Sequence, residues 1–271
     1  MPSPSEITVP QLARLIGLPS APSIIDIRSK EDFAANPQLV PGSVQHPFDV
    51  RPAIEPDKKA AVIICKDGTA LSQGVAARLR HQGIAAETLE GGFSAWQAAR
   101  QPLLRTAKLP TRDDQGRTVW VTRARPKIDR IACPWLIRRF IDPNAVFLFV
   151  APTEVTAVAE RFSAAAFDIE DVFWSHRGER CTFDIMIQEF GLEIPALHHV
   201  ATIVRSADTA RLDLAPEAAG LLAVSLGLSR MYRDDLEQLS AALVIYDGLY
   251  RWARDASDET HNWPTAHGAK S

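Results

Sequence analysis

Ala61-Val62-Ile63-Ile64-Cys65-Lys66-Asp67-Gly68-Thr69-Ala70 decides the fold of the first part of this chain. Five apolar residues in a row, with no polar alternation, read as a strand buried on both faces. A short polar loop containing Gly68 follows. From Ala70 to His81 the apolar spacing becomes helical, and Gly83 suits a C-cap. Working outward, Ser23-Ile24-Ile25-Asp26-Ile27 reads as another buried strand and Ala85 to Leu89 as a third. Gly91-Gly92 then leads into a short helix through Trp96. Strands alternating with helices predict an α/β unit with a largely parallel sheet.

A thiol at the end of such a strand has distinctive chemistry. Backbone N–H groups converge in a tight strand-to-helix loop, and the helix N-terminus adds partial positive charge. Cys65 held there is pushed toward thiolate. A thiolate beside an anion cradle can accept a sulfur atom and hold it as a persulfide. Gly68 permits a turn that a side chain would obstruct.

Four segments carry a family resemblance. Ile25-Asp26-Ile27-Arg28 with Glu31-Asp32-Phe33 is similar to the D-[VI]-R-x-x-x-E-F signature of rhodanese domains, with Asp32 as an extra residue before the Phe. Pro41-Gly42-Ser43-Val44-Gln45-His46-Pro47 resembles the family's P-G-A-x-x-[IH]-P stretch. Cys65 to Ala70 falls where the active-site loop belongs, and Leu89-Glu90-Gly91-Gly92-Phe93-Ser94-Ala95-Trp96 looks like the closing L-x-G-G-x-x-x-W. The resemblance implies a rhodanese fold, with Cys65 as sulfur carrier and Asp26, Arg28, Lys66, Gly68 and Thr69 as its site. The residues themselves favour plainer roles for two of these: a backbone hydrogen bond for Asp26 and an ion pair, with Glu31, for Arg28. The loop departs from the pattern C-[RK]-x-G-x-R, because Ala70 replaces the last basic residue and Asp67 adds a negative charge. That departure implies weak thiosulfate activity and a persulfide or protein sulfur donor.

The chain has 271 residues, 46% hydrophobic and 23% charged, with a net charge of −3. This is an ordinary globular composition, long enough for two domains. It excludes collagen-like and wholly disordered chains. The polar segment Leu109 to Arg117 places a linker at residues 108–117. It separates a unit at 1–107 from one at 118–256, with a polar tail at 257–271. Cut after Lys108, the first part carries +2 and the remainder −5. Neither value provides a global drive toward nucleic acid or anionic lipid, so neither partner is expected. Three scattered cysteines exclude a disulfide framework. With no leader and no apolar run of spanning length, the chain reads as cytoplasmic and not inserted in a membrane.

The second part is predicted as a mostly helical α+β unit. Strands are expected at 118–122 and 146–150, and helices at 127–141, 182–190, 196–212, 217–226 and 234–254. Arg123, Arg125, Lys127 and Arg130, with Arg138 and Arg139 beyond, form a basic cluster suited to oxyanions. As a class, His176 with Asp129, Asp208 and Glu217 could ligate iron, manganese or zinc, although no spacing among them is diagnostic. His198, His199 and Asp247 are weaker candidates.

Trp120 to Pro143, containing Arg123-Ala124-Arg125-Pro126-Lys127-Ile128-Asp129-Arg130-Ile131-Ala132-Cys133-Pro134-Trp135, resembles the opening of the ChrB-type chromate-resistance domain. Ser175-His176-Arg177-Gly178 with Cys181-Thr182-Phe183-Asp184 looks like its middle. Ile203 to Thr209 and Pro216 to Leu221 look like its helical end. This resemblance implies a role in chromate resistance, with chromate or a related oxyanion as partner, but supplies no mechanism. ChrB-type proteins usually carry a regulatory N-terminal half, which the rhodanese-like unit replaces here. Two functions remain open on these residues. One is a sulfurtransferase acting in chromate or oxyanion detoxification. The other is a non-catalytic chromate- or metal-binding sensor.

Overall fold

The computed structural model describes residues 5–46 and 60–259. Pro47, the first four residues and most of the polar tail lie outside them.

The first half is built on five parallel strands in the order β1-β6-β5-β2-β4. These are β1 (Glu6–Ile7), β2 (Ser23–Asp26), β4 (Ser43–Gln45), β5 (Ala60–Ile64) and β6 (Ala85–Leu89). Buried on both faces, β5 divides its side chains by the period of two. Val62 and Ile64 join one core with Leu12, Phe93 and Trp96. Ala61 and Ile63, with Cys65 beyond them, join another with Ala76 and Leu79 of α3 (Ala70–His81). Cys65 therefore points to the α3 side of the sheet.

Helices α1 (Val9–Leu15), α2 (Lys30–Ala35) and α4 (Gly92–Ala98) complete this half. Thr8 caps α1 in a reciprocal box with Gln11, and Pro10 fits its first turn. Ser29 caps α2 by accepting from the Asp32 N–H at 3.1 Å. Strand β3 (Gln38–Leu39) pairs antiparallel with β7 (Leu104–Arg105).

Residues 108–117 are tied into the structure. Asp113 Oδ1 accepts from the N–H groups of Gln115 at 3.0 Å and Arg117 at 2.9 Å, closing a turn. Arg112 reaches the buried Asp142 at 3.3 Å.

In the second half, β8 (Val119–Arg123) lies between β9 (Val146–Val150) and β10 (Ala165–Ala166), all parallel. The expected helix over 127–141 is divided. Helix α5 (Asp129–Leu136) ends in a π-helical turn, Ile137–Ile141, closed by Asp142 N–H to Ile137 O at 2.8 Å. Pro134 lies inside α5 and has no N–H to give to the preceding turn, which favours such a shift of register. Every residue of α5 except Arg130 is buried.

Helices α6 (Val155–Phe162), α7 (Thr182–Phe190), α8 (Pro195–Asp208), α9 (Ala218–Met231) and α10 (Asp235–Asp255) surround it. Helix α8 stops short of the expected Leu212. Ala210 turns left-handed (φ 57°), and Arg211 N–H bonds back to Ser206 O at 3.0 Å. Helix α9 runs five residues beyond the expected Leu226. Among the described residues, no helix is long and apolar enough to cross a membrane.

Candidate functional site

Two clusters bring chemically capable side chains together. The first surrounds Cys65. Its Sγ lies 3.1 Å from Ser72 Oγ, one turn into α3, and that hydroxyl donates to Thr69 O at 3.0 Å. Burial pushes the thiol upward. The Ser72 hydroxyl, with backbone N–H groups from Thr69, Ser72 and Asp67, outweighs it and brings the pKa below the usual thiol value.

A second loop locks the first. Phe93 N–H donates to Cys65 O and Ser94 N–H to Lys66 O, both at 2.9 Å. Gly68 (φ 67°) and Gly92 (φ 60°) meet face to face. A Cβ on Gly68 would lie 2.7 Å from Gly91 N and 2.9 Å from Leu89 O, and one on Gly92 would strike Gly68 N and lie 2.5 Å from Cys65 O.

The charged loop residues have partners of their own. Lys66 Nζ pairs with Asp32 Oδ1 at 3.2 Å, and Asp67 Oδ1 accepts the Ser94 hydroxyl at 2.7 Å. Thr69 is the N-cap of α3 but makes no side-chain capping bond.

Asp26 and Arg28, each 1% exposed, are spent on one another. Arg28 Nε and Nη2 reach the Asp26 carboxylate at 2.9 and 2.6 Å. Asp26 Oδ1 also accepts the Arg28 N–H at 3.0 Å. The remaining guanidinium donors close on Asn36 O and Gln38 O, and the group stacks over Phe93 at 3.6 Å. The expected ion pair with Glu31 is replaced by this one. Losing one partner of such a buried pair costs about 3–5 kcal/mol.

The second cluster joins α5, α8 and the loops that follow Phe167 and Trp174, whose rings pack on Trp120. His176 Nε2 faces Asp129 Oδ2 at 3.4 Å, Asp168 Oδ1 at 3.3 Å and Asp208 Oδ2 at 3.3 Å. Asp129 is fully buried at the start of α5. Its carboxylate accepts the N–H groups of Thr182 (2.6 Å) and Phe183 (3.1 Å), which open α7. Burial pushes Asp129 up to about 6, against the pull of His176. The carboxylates of Asp129, Asp168 and Asp208 push His176 up to about 12.

Asp129 is delivered by Ile128, a β-branched residue at φ 35°. Ser225 Oγ and Tyr246 Oη hold Ile128 by its N–H and carbonyl at 3.2 and 3.0 Å. Asp129, His176 and Asp208 can together hold a metal ion. Glu217 does not join them. It precedes α9 and its carbonyl accepts the Leu221 N–H.

The sequence reading missed two participants. Asp168 sits in a turn after a two-residue strand and carries no periodic signal, and Ser72 reads as an ordinary helix residue.

The basic cluster is differently employed from the anion site expected of it. Arg125 donates to Tyr232 O at 2.8 Å and to Ser229 O. Arg130 donates to Ala124 O at 3.1 Å and pairs with Asp168 at 3.3 Å. Arg123 donates to Asp168 O at 3.1 Å. Arg139 pairs with Asp247, which also accepts Trp135 Nε1, both at 2.8 Å. Lys127 is exposed. These arginines brace turns and helix ends. His198 pairs with Glu193 at 3.0 Å, and His199 packs on Trp252. Cys133 and Cys181 are buried, and burial pushes both thiols well up.

The parallel sheet, the thiol loop and the helical second half define a fusion of two classes of domain. Residues 8–99 match the family described as rhodanese-like domain, and residues 120–253 match the family described as ChrB, C-terminal domain. The chain therefore contains a rhodanese-like domain followed by a ChrB-type C-terminal domain.

It is similar to Protein ChrB of Cupriavidus metallidurans, 35% identical over 146 residues, covering 52% of this chain. The chain spans 43% of that relative's length. A solved rhodanese-like domain protein from Staphylococcus aureus is 28% identical, covering 34% of this chain and 90% of its own, with a TM-score of 0.26. A rhodanese-related protein from Thermoplasma volcanium is 20% identical, covering 36% of this chain and 96% of its own, with a TM-score of 0.31.

Proposed function

We propose that this chain is a sulfurtransferase that carries sulfane sulfur as a persulfide on Cys65 and acts in detoxification of chromate or related oxyanions. The observation that carries this reading is a thiol at the end of a strand, its Sγ 3.1 Å from the Ser72 hydroxyl at the start of the following helix. The thiolate attacks the outer sulfur of a donor. A new S–S bond forms at Cys65, and the donor leaves as sulfite or as a thiolate. An acceptor nucleophile then takes that sulfur and returns Cys65 as thiolate. Lys66 and Asp67 are both engaged elsewhere. That arrangement supports a persulfide carrier over dianionic thiosulfate as donor.

The segment 108–117 is taken as the join between the two units. Three free cysteines support a reducing, cytoplasmic setting. The acid–histidine cluster is read as a site for iron, manganese or zinc.

Incubation with a persulfide donor, followed by mass spectrometry of peptides, tests the reading. One added sulfur is expected on Cys65 and none on Cys133 or Cys181, with transfer to cyanide abolished in Cys65→Ser. Unchanged transfer in that variant would overturn it. The rival reading, a non-catalytic chromate or metal sensor, draws on the burial of Cys65, 4% exposed. Ligand binding retained in Cys65→Ser, without sulfur transfer in either protein, would favour it.

A further inference from the structure

We propose that β9 is the docking edge for a second copy of this chain. Two β9 strands pair antiparallel about a twofold axis at Leu148 and join their sheets into one. This interface is independent of the sulfur chemistry.

The register of the sheet shows which backbone groups are free. Val146 N–H donates to Thr118 O at 2.9 Å, and Ala124 N–H donates to Val150 O at 2.7 Å. With Val119 opposite Val146 and Arg123 opposite Val150, residues 146, 148 and 150 turn their backbone groups toward β8. Phe147 and Phe149 turn theirs the other way, where no strand lies among the described residues. Neither their N–H nor their C=O groups have a partner among the described residues. Phe147 is 3% exposed, so its groups have little water to bond instead. Orphaned backbone groups of this kind are costly until something pairs with them.

The sequence does nothing to guard this edge. Val146-Phe147-Leu148-Phe149-Val150 is apolar throughout, with no lysine or proline of the kind that keeps an edge unpaired. The edge opens into a groove of about 490 Å³. Val158 and Phe162 of α6 line one rim, and Asp234, Asp235 and Leu236 at the start of α10 line the other. Phe162 is 60% exposed and Leu236 50%.

A second copy suits this edge because the free groups are symmetric about Leu148. In the antiparallel pair, Phe147 exchanges both its bonds with the partner's Phe149, and Phe149 with the partner's Phe147, so every free group is used. Leu148 then faces the partner's Leu148. Charge agrees with this pairing. Arg138 stacks over Phe147, near the start of β9, with its guanidinium 5.0 Å from the ring centroid. It has no acid partner among the described residues. The acids lie toward the other end of the strand, where Asp235 Oδ2 accepts the Arg125 N–H at 3.1 Å. Asp235 Oδ1 is buried without a hydrogen-bond partner. Antiparallel pairing carries Arg138 of one copy toward the partner's Asp234 and Asp235. Arg233, exposed on the same rim, offsets one of those two charges, and Arg138 meets what remains.

The test follows the full chain by sedimentation velocity between about 1 μM and 1 mM, the span from tight to weak association. A reversible monomer–dimer equilibrium is expected. Leu148→Lys sets like charges opposite one another on the axis and should leave only monomer. Arg138→Glu should weaken the dimer roughly tenfold or more. Leu148→Cys should cross-link as a disulfide dimer on mild oxidation. Directly opposed residues outside the hydrogen-bonded pairs have Cα atoms about 4.5 Å apart, within disulfide range. The parent chain and Asp213→Cys, an exposed position outside the groove, should not cross-link. Circular dichroism checks that each variant folds, and the smaller Leu148→Cys carries the test if the lysine variant does not. A parent chain that stays monomeric throughout would overturn the proposal and leave the edge to an extended segment of another protein. A dimer that persists in Leu148→Lys, or one without the Leu148→Cys cross-link, would overturn it by placing the interface elsewhere. Unchanged affinity in Arg138→Glu would overturn the charge match.

Discussion

Ser72 is the side chain that faces the Cys65 thiol, at 3.1 Å. As a thiol, Cys65 donates to the Ser72 hydroxyl. As a thiolate, it accepts from that hydroxyl and from the N–H groups of the loop, which lowers its pKa. The sign follows directly: a lowered thiol pKa keeps the nucleophile populated as pH falls below the ordinary thiol range. Alkylation by iodoacetamide should therefore titrate at lower pH in Cys65 than in a small free thiol. Ser72→Ala removes the side-chain donor but leaves the backbone cradle. Its titration midpoint should rise, and alkylation below that midpoint should slow by about tenfold for each unit of the rise. Rates measured across pH, with Cys133 and Cys181 silent because they are fully enclosed and burial pushes their thiols well up, check this. An unshifted midpoint would remove Ser72 from the account. None of this was legible in composition. The place of Cys65 between an apolar strand and a helix was legible, but the hydroxyl that faces it, seven residues on, required the fold.

At the scale of elements, the thiol loop is held by a partner loop that is distant in sequence. The close approach of Gly68 and Gly92 leaves no room for a Cβ on either, and both hold positive φ. An alanine at such a position costs about 1–2 kcal/mol in backbone conformation. Forcing atoms into a packed contact adds about 1–3 kcal/mol. Gly68→Ala and Gly92→Ala should each lower stability by a sum of that order in denaturant melts. The double variant should cost less than the two together, because the first displacement already opens the contact that the second would strain. Strict additivity would mean that the loops do not bear on one another.

The sequence displayed the large elements clearly. The strand at 85–89 and the helix at 182–190 coincide with β6 and α7 because long apolar runs and helical spacing persist through them. Two-residue strands such as β1 and β10 have no room for a period. The basic segment shows what sequence alone leaves open. Guanidinium groups that would suit an oxyanion suit backbone carbonyls equally well, and only the fold shows that Arg125 meets the end of α9.

On the scale of the whole molecule, the two halves share one core. Residues from both, among them Leu12, Trp96, Trp135 and Phe140, belong to a single buried cluster. Gly42 N–H donates to Phe140 O at 2.7 Å, and Arg254 reaches Arg14 O at 3.0 Å. At Gly17 (φ 81°), a Cβ would strike the Phe140 ring and lie 2.8 Å from the Tyr250 ring. Joined in this way, the halves should unfold together rather than as beads on a tether. Tryptophan fluorescence, which reports chiefly on the second half through Trp120, Trp135 and Trp174, and Cys65 accessibility, which reports on the first, should change at the same denaturant concentration. Gly17→Ala combines a positive-φ penalty with overpacking of two aromatic rings, a loss of about 2–5 kcal/mol. Because the contact is shared, both probes should move to lower denaturant together. Separate transitions in the parent chain, or a Gly17→Ala shift confined to the thiol probe, would show that the common core does not couple the thiol-bearing half to the acid–histidine half.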